Sequence, residues 1–262
     1  SVDQKFTGRA ISLILLGAIG GAMLGPELVT RGQFLIEGIQ YGGTLISVSI
    51  LFVLQSMLLI LLGPFRMKDD EATSKLTRPL MDIVKQRTFI MAMCGATVAY
   101  GSMTFIMTAT PLSMHIIDGF TIEETANVIR SHVLAMYIPS LVSGFLIERF
   151  GLNKIMACGV IGLFGASIAG LTGQTIFTYW LALVLLGIGW NFLYVGGTTM
   201  LTYTYEPNER FKAQGINEFC VFGMSALGSL LAGTIMYLYG WYTLVLIPIP
   251  LLIMVAVGLR IT

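Results

Sequence analysis

This sequence is short of charge. Only 11% of its 262 residues are Asp, Glu, Lys or Arg, where a soluble domain needs about a quarter to dress its surface. The shortage excludes a water-soluble globule, because most of the outer surface must face lipid. Histidine is as scarce: His115 and His132 stand seventeen residues apart, and no His-Glu-x-x-His or cysteine pair offers metal ligands. Cys94, Cys158 and Cys220 lie singly inside apolar stretches and read as small hydrophobes, not a disulfide framework. A GxxxxGK[ST] loop and a GxSxG elbow are missing, which removes direct use of ATP and a serine-hydrolase site. Basic runs with interleaved aromatics are also lacking, so nucleic acid is not an expected partner. No filter loop or ring-forming carboxylate motif speaks for a channel. No cofactor is called for, and nothing in the sequence decides an oligomeric state.

What the sequence has is apolar length. Hydrophobic residues make up 55% of the chain and the mean hydropathy is +0.82. A bilayer core about 30 Å thick needs about 20 apolar helical residues. Eight stretches qualify: 10–30, 38–62, 89–114, 123–148, 153–172, 175–203, 215–239 and 241–260. They are continuous runs, not the short alternating strands of a lipid-facing barrel. The expected fold class is an all-α membrane protein with eight transmembrane helices.

Basic residues set the orientation. Lys5 and Arg9, the six from Arg66 to Arg87, Arg149 and Lys154, Arg210 and Lys212, and Arg260 occupy alternate connections, thirteen of the fifteen in all. The opposite connections hold only Arg31, and Arg130 lies inside a span. Both termini are therefore expected in the cytoplasm. The connection 63–88 is long and mixed in charge; its "RPLMDIVKQ" predicts a short amphipathic helix at the membrane surface. It divides two spans from six.

Small residues at four-residue spacing let helix backbones approach closely in lipid. Gly17, Gly21 and Gly25 form one such stripe, ended by Pro26; Gly162, Ala166 and Gly170 form a second; Ser225, Ser229 and Gly233 form a third. The stretch "GAMLGP", Gly21 to Pro26, resembles the glycine–proline signature in the fifth helix of major facilitator superfamily transporters, best known from proton-coupled exporters. "GFLIERFGLNK" resembles that superfamily's short cytoplasmic signature. Gly144, Leu146, Arg149 and Gly151 match it; Glu148 replaces an aspartate, and Lys154 is the remnant of a basic run. "YGSMTFIMTATPLSM" and "LGIGWNFLYVGGTTMLTYTY" are similar to a bacterial subgroup of uncharacterised transporters.

The resemblance implies a register. Residues 1–62 correspond to the last two helices of an N-terminal half, 63–88 to the central cytoplasmic loop, and 89–262 to a six-helix C-terminal half. Four leading helices of the family's twelve are absent and the chain opens on Ser1, so a fragment of a longer protein is expected over an unusual eight-helix form. The implied function is secondary active transport of a small organic solute by alternating access, in the inner membrane. Coupling to protons is expected, and export is favoured from "GAMLGP". The alternatives are a non-transporting membrane protein, either a scaffold or an intramembrane enzyme, or an inactive transporter fragment. Partners are the solute and the lipid bilayer.

Ionisable groups at membrane depth are costly and so draw attention to function. Glu27 and His132 are the proton-coupling candidates; His132 reads either as a cavity ligand or as an ordinary packed histidine. Arg130, two residues before His132, faces another way and can snorkel outward. His132 shares its face with Met136, Ser140 and Ser143. In the family the third and sixth of these spans contribute to the central cavity, so Tyr100, Trp190, Asn191 and Tyr194 are the implied substrate-cavity residues; Arg130 and His132, in the fourth span, join them as ionisable groups at membrane depth. Thr104, Thr108 and Thr110 read as interhelical hydrogen-bonding groups. The glycines around Trp190, with Pro111, are expected to permit bending. Gly144, Leu146, Glu148, Arg149, Gly151 and Lys154 form the implied gating motif, in which Glu148 and Arg149 bond to a neighbouring helix end when the gate is shut. Gly17, Gly21, Gly25 and Pro26 form the helix-packing motif.

Overall fold

In lipid a backbone N–H or C=O finds no water, so a segment at membrane depth must satisfy its own hydrogen bonds. The structure, a computed structural model that describes residues 7–32, 36, 39, 41–62 and 78–261, does this with helices, and no strand occurs among the described residues. In chain order these are α1 (Thr7–Gly32), α2 (Gly42–Leu62), α3 (Leu80–Val84), α4 (Arg87–Pro111), α5 (Ile122–Tyr137), α6 (Ser140–Phe150), α7 (Leu152–Leu171), α8 (Ile176–Thr202), α9 (Arg210–Leu246) and α10 (Pro248–Ile261). A π-helical turn, Leu112–Ile117, extends α4, and a 3-10 turn, Pro207–Glu209, precedes α9. Most of the expected central loop lies outside the described residues. The chain divides into two units, Ser1–Ser74 and Lys75–Thr262.

In the first unit α1 and α2 meet where Gly32 faces Thr44, whose hydroxyl donates to the Leu28 carbonyl at 3.2 Å. That contact lies beyond Pro26. The stripe before it, Gly17, Gly21 and Gly25, is open: a Cβ at any of the three meets nothing within 4 Å. The close approach expected of this stripe is therefore not made within the unit. From Leu45 to Leu61 nearly every α2 side chain is exposed, as an apolar helix facing lipid would be.

The second unit is organised around α8, which is apolar on all sides and presents a different face to each of three neighbours. Its small face meets α7: a Cβ on Gly162 would stand 2.9 Å from the Gly189 Cα, and one on Gly159 would stand 2.5 Å from the Leu193 nitrogen. Leu183, Gly187 and Asn191 face α5; Trp190, Tyr194 and Gly197 face α4. Tyr100 meets Trp190 while Ala96 meets Gly197, so α4 and α8 run antiparallel. Thr104 and Ser225 share a hydrogen bond of 3.0 Å, and Thr108 and Ser229 one of 3.4 Å, so α4 and α9 run parallel. These are interhelical bonds of the kind expected for the threonines; Thr110 instead bonds back to the Ile106 carbonyl.

The glycines expected to bend α8 do not. Gly187, Gly189 and Gly197 are packed against neighbouring backbones and Gly196 against the Met156 side chain, and α8 runs unbroken for 27 residues. The breaks fall elsewhere. The expected span 123–148 is two helices, α5 and α6, bent by 41°. Pro139 sits at the bend; it lacks an N–H and its ring clashes with the carbonyl four residues back. Pro111 is followed by the π-helical turn. Gly240 takes φ 74° and ψ 179°, a conformation that suits glycine, and separates the expected spans 215–239 and 241–260.

Five helical stretches among the described residues are long and apolar enough to cross a bilayer, and six when the bent pair α5–α6 counts as one crossing. One of the five, Pro207–Ile261, has 55 residues. Straight, it would measure about 80 Å against a core of about 30 Å, so the Gly240 break falls inside a stretch too long for one pass. The protein is thus an all-helical membrane protein. The short helix expected in "RPLMDIVKQ" forms as α3, with Ile83 buried and Leu80 and Met81 exposed.

Polar networks tie each end of this unit. At one end Ser113 and Tyr179 share a hydrogen bond of 2.5 Å, the Tyr179 hydroxyl donates to Asp118 at 2.7 Å, and Gln174 donates to the same carboxylate. At the other, Arg78 grips Glu209 through its backbone N–H at 3.0 Å, its Nε at 2.9 Å and an Nη at 2.6 Å. Arg78 and Gln86 also donate to the Thr204 carbonyl. The hydrogen bonds from the Arg78 side chain and from the Glu206 backbone hold the Glu209 carboxyl down to about 2.

Two outcomes follow for stability. Gly189→Val places a Cβ 2.6 Å from the Leu163 nitrogen, so thermal unfolding of the purified protein in detergent should shift down by several degrees, the result of about 1–3 kcal/mol of overpacking. Gly144→Ala enters open space and should leave the midpoint in place; equal midpoints for the two variants would refute the α7–α8 close approach. Glu209 has its pKa depressed from an unfolded value of about 4.3, so its contribution is complete above that value and is lost only as the pH falls through about 2. Glu209→Gln should therefore lower the midpoint by the same amount at pH of about 5.5 and about 8, and a difference that changes between them would contradict the clamp.

Candidate functional site

Tryptophan and tyrosine at i and i+4 on a helix lie on one face, one above the other. Trp190 and Tyr194 do so on α8, stacked with centroids 5.0 Å apart and planes at 13°. Tyr100 of α4 stands edge-on to both, at 5.7 Å from Trp190 and 5.3 Å from Tyr194. Phe222 of α9 completes the cluster, edge-on to Tyr100 at 5.7 Å. Three helices thus contribute four rings. Trp190 is only 6% exposed, whereas Phe222 is 54% exposed, so the cluster opens toward the α9 side. The buried Trp190 Nε1 has no acceptor among the described residues.

A carboxylate stands beside the rings. Glu218 is one turn before Phe222 on α9, half-buried, and accepts a hydrogen bond from Asn217 Nδ2 at 3.3 Å. The Asn217 Oδ1 is buried and without a donor among the described residues. Chemically, the site offers ring faces, one N–H donor and one carboxylate. That set suits a planar solute with an acceptor on one edge and donors on another. Among the described residues no group of three or more His, Cys, Asp or Glu side chains is placed to hold a metal.

Of the cavity residues expected from sequence, the structure brings Tyr100, Trp190 and Tyr194 together. Asn191 turns the other way, toward α5 and α6. Its Nδ2 donates to the Met136 carbonyl at 2.7 Å and to Ser140 Oγ, and its Oδ1 accepts from Ser143 Oγ at 2.7 Å. His132 is completely buried between α5 and α8, with Nδ1 facing the Leu183 carbonyl at 2.7 Å. Arg130 is partly exposed and donates to Asn127 Oδ1 at 2.9 Å. Glu27 belongs to the first unit, where Arg31 Nε approaches its carboxylate to 2.5 Å.

The "GFLIERFGLNK" residues lie at the α6–α7 reversal. Gly151 ends α6 and begins α7 with φ 92°, which explains one glycine of the pair; Gly144 has open space around it. Leu146 is half-buried, Glu148 and Lys154 are exposed, and the Arg149 guanidinium lies 5.5 Å over the Phe150 ring.

Sequence reasoning passed over Glu218 and Phe222. The signal for Glu218 was present: it is an acid four residues into the expected span 215–239, set among apolar neighbours. Phe222 carried no signal of its own, since a phenylalanine in an apolar span is as ready to face lipid as a site.

The sequence pattern of the Major Facilitator Superfamily matches residues 93–261. The riboflavin transporter RfnT of Brucella anthropi is 38% identical over 261 residues, covering 98% of this chain and 65% of that protein. Two uncharacterized MFS-type transporters of Bacillus subtilis, YddS and YdeG, are 31% and 28% identical, each match covering 89% of this chain and 57% of the relative. The chain thus spans rather less than two thirds of the length of these relatives. No solved structure matches it. With an all-helical apolar fold and a family match over residues 93–261, well over half of its length, the chain belongs to the major facilitator superfamily, a family of membrane transporters, not enzymes.

Proposed function

We propose that this chain is part of a secondary transporter that carries a small planar organic solute across the bacterial inner membrane, and that the solute sits on the Tyr100–Trp190–Tyr194–Phe222 cluster. The observation that carries this reading is the cluster itself: three helices converge four rings on a tryptophan N–H that lacks an acceptor. The name of RfnT, a riboflavin transporter, points to a flavin-like solute, whose flat ring system suits stacking. Glu218 then accepts from donors on the solute's edge.

The membrane arrangement we favour has eight crossings. It counts α1, divides Pro207–Ile261 at Gly240 and takes α5–α6 as one crossing. The alternation of basic connections supports both termini in the cytoplasm. On this reading 1–62, 63–88 and 89–262 are the end of one half, the central loop and the second half, and the "GFLIERFGLNK" turn lies at the cytoplasmic gate. Transport proceeds by alternating access, driven by a proton gradient. His132 is a poor proton carrier here, since its Nδ1 hydrogen is committed to Leu183 and the ring is enclosed. Glu27 and Glu218 are the two carboxylates to weigh. Glu218 stands one turn before Phe222 of the cluster with Asn217 beside it, while Glu27 already bonds Arg31. Export rests on the glycine–proline resemblance of α1.

Riboflavin flux in proteoliposomes of the intact protein tests the site. Trp190→Leu and Tyr100→Leu should each reduce flux about tenfold or more, the scale of one lost stacking contact with its hydrogen bond. Native flux in both variants would remove the cluster from the mechanism. For coupling, Glu218→Gln should abolish the response to an imposed pH gradient while solute exchange persists, and Glu27→Gln should keep the response. The reverse pattern would move coupling to α1.

A further inference from the structure

The polar set around Pro139 has a purpose that the aromatic site does not absorb. The last α5 bond runs from the Ile138 N–H to the Leu134 carbonyl at 2.9 Å. The turn then bonds onto itself, with the Leu141 N–H on the Ile138 carbonyl at 3.2 Å and the Val142 and Ser143 N–H groups on the Pro139 carbonyl at 3.0 and 2.9 Å. At membrane depth the Met136 carbonyl is reached by the Ser140 hydroxyl only at 3.5 Å, and Asn191 supplies the short bond, 2.7 Å, from α8. The same amide touches Ser140 and Ser143 beyond the break. Asn191 is fully buried, and both of its donor hydrogens and its acceptor are taken. Nothing remains of it for a solute, although its chain neighbour Trp190 is in the aromatic cluster.

We propose that Asn191 is a positioning residue that ties the solute face of α8 to the hinge at Pro139, so that a shift of Trp190 and Tyr194 on solute binding is passed to the angle between α5 and α6. Consecutive helical residues lie about 100° apart. The face that holds the rings and the face that holds the hinge are therefore one rigid body, and α8 has no break of its own through which they could move independently. One amide bridging both sides of the bend stabilises this angle against others; losing or remaking two short bonds there is a discrete change, not a gradual one. His132, one turn before Met136, anchors α5 to α8 through Leu183 and leaves the α6 arm as the part free to swing. The proposal rests on the aromatic cluster being the solute site.

The test uses the intact protein with Cys94, Cys158 and Cys220 replaced by serine and spin labels at the exposed positions 123 and 145, one on each arm. Riboflavin is the probe, with quenching of tryptophan fluorescence reporting binding. In the native background riboflavin should shift the label-to-label distance. Asn191→Asp, nearly the same size but with no donor for Met136, should abolish the shift and lower flux about tenfold while changing the binding constant less than about threefold. Pro139→Ala, which restores a backbone donor, should also abolish the shift, and Asn191→Asp should add nothing in that background. A retained shift in Asn191→Asp, or effects that add fully in the double variant, would overturn the tie. If riboflavin quenches nothing, the flavin reading fails by itself. The distances without solute still decide the tie: Asn191→Asp broadening them supports it, and an unchanged distribution refutes it.

Discussion

The need to satisfy every backbone group away from water governs this molecule more than any single contact. Helices meet it almost everywhere. Where the ladder is interrupted, a specific partner has been supplied: Asn191 for the Met136 carbonyl near the Pro139 bend, and Trp241, whose Nε1 donates to the Gly170 carbonyl at 2.9 Å, where α7 ends. The connections obey the same rule, with Thr204 receiving both Arg78 and Gln86. Each interruption therefore drags a polar side chain into an apolar interior, and those side chains are what link one helix to the next.

A second constraint is distance. Without a hydrophobic force between helices in lipid, association depends on how closely backbones approach. Gly159, Gly162 and Gly189 bring α7 and α8 to a separation at which added methyl groups would overlap backbone atoms. That contact seats α8 so that its other two faces, aromatic toward α4 and amide toward α5, are set by the same rigid rod. The aromatic cluster and the amide contacts at the Pro139 bend are consequences of how α8 is held.

Family membership accounts for the helical fold and the transport context, while the particular chemistry comes from a few side chains. Phe222 and Glu218 enter from α9, whose register against α4 is pinned by the Thr104–Ser225 and Thr108–Ser229 bonds. A shift of one turn in that register would take both residues out of the cluster. Hydroxyl pairs one and two turns along the same two helices thus set which α9 side chains meet the rings.

Apolar run lengths made the helices legible, because a bilayer leaves one economical way to hide a backbone. Spacing made the face His132–Met136–Ser140–Ser143 legible as well, since i, i+4 periodicity is a local property; all four do turn toward α8. Tyr100, Trp190 and Tyr194 were recognisable as site candidates through family likeness. The bend at Pro139, the straightness of α8 and the partner of Asn191 were not. A proline or a glycine permits a break, but whether the chain takes it depends on what the neighbouring helix presents at that height. Gly187, Gly189 and Gly197 meet backbone and so hold α8 straight, while the turn at Pro139 meets the Asn191 amide, which bonds Met136 before it and Ser140 after it, and the chain bends. Sequence determined which segments are helices and which faces are polar; only the packing of one helix on another decided which face gathers the aromatic rings and which meets a broken backbone.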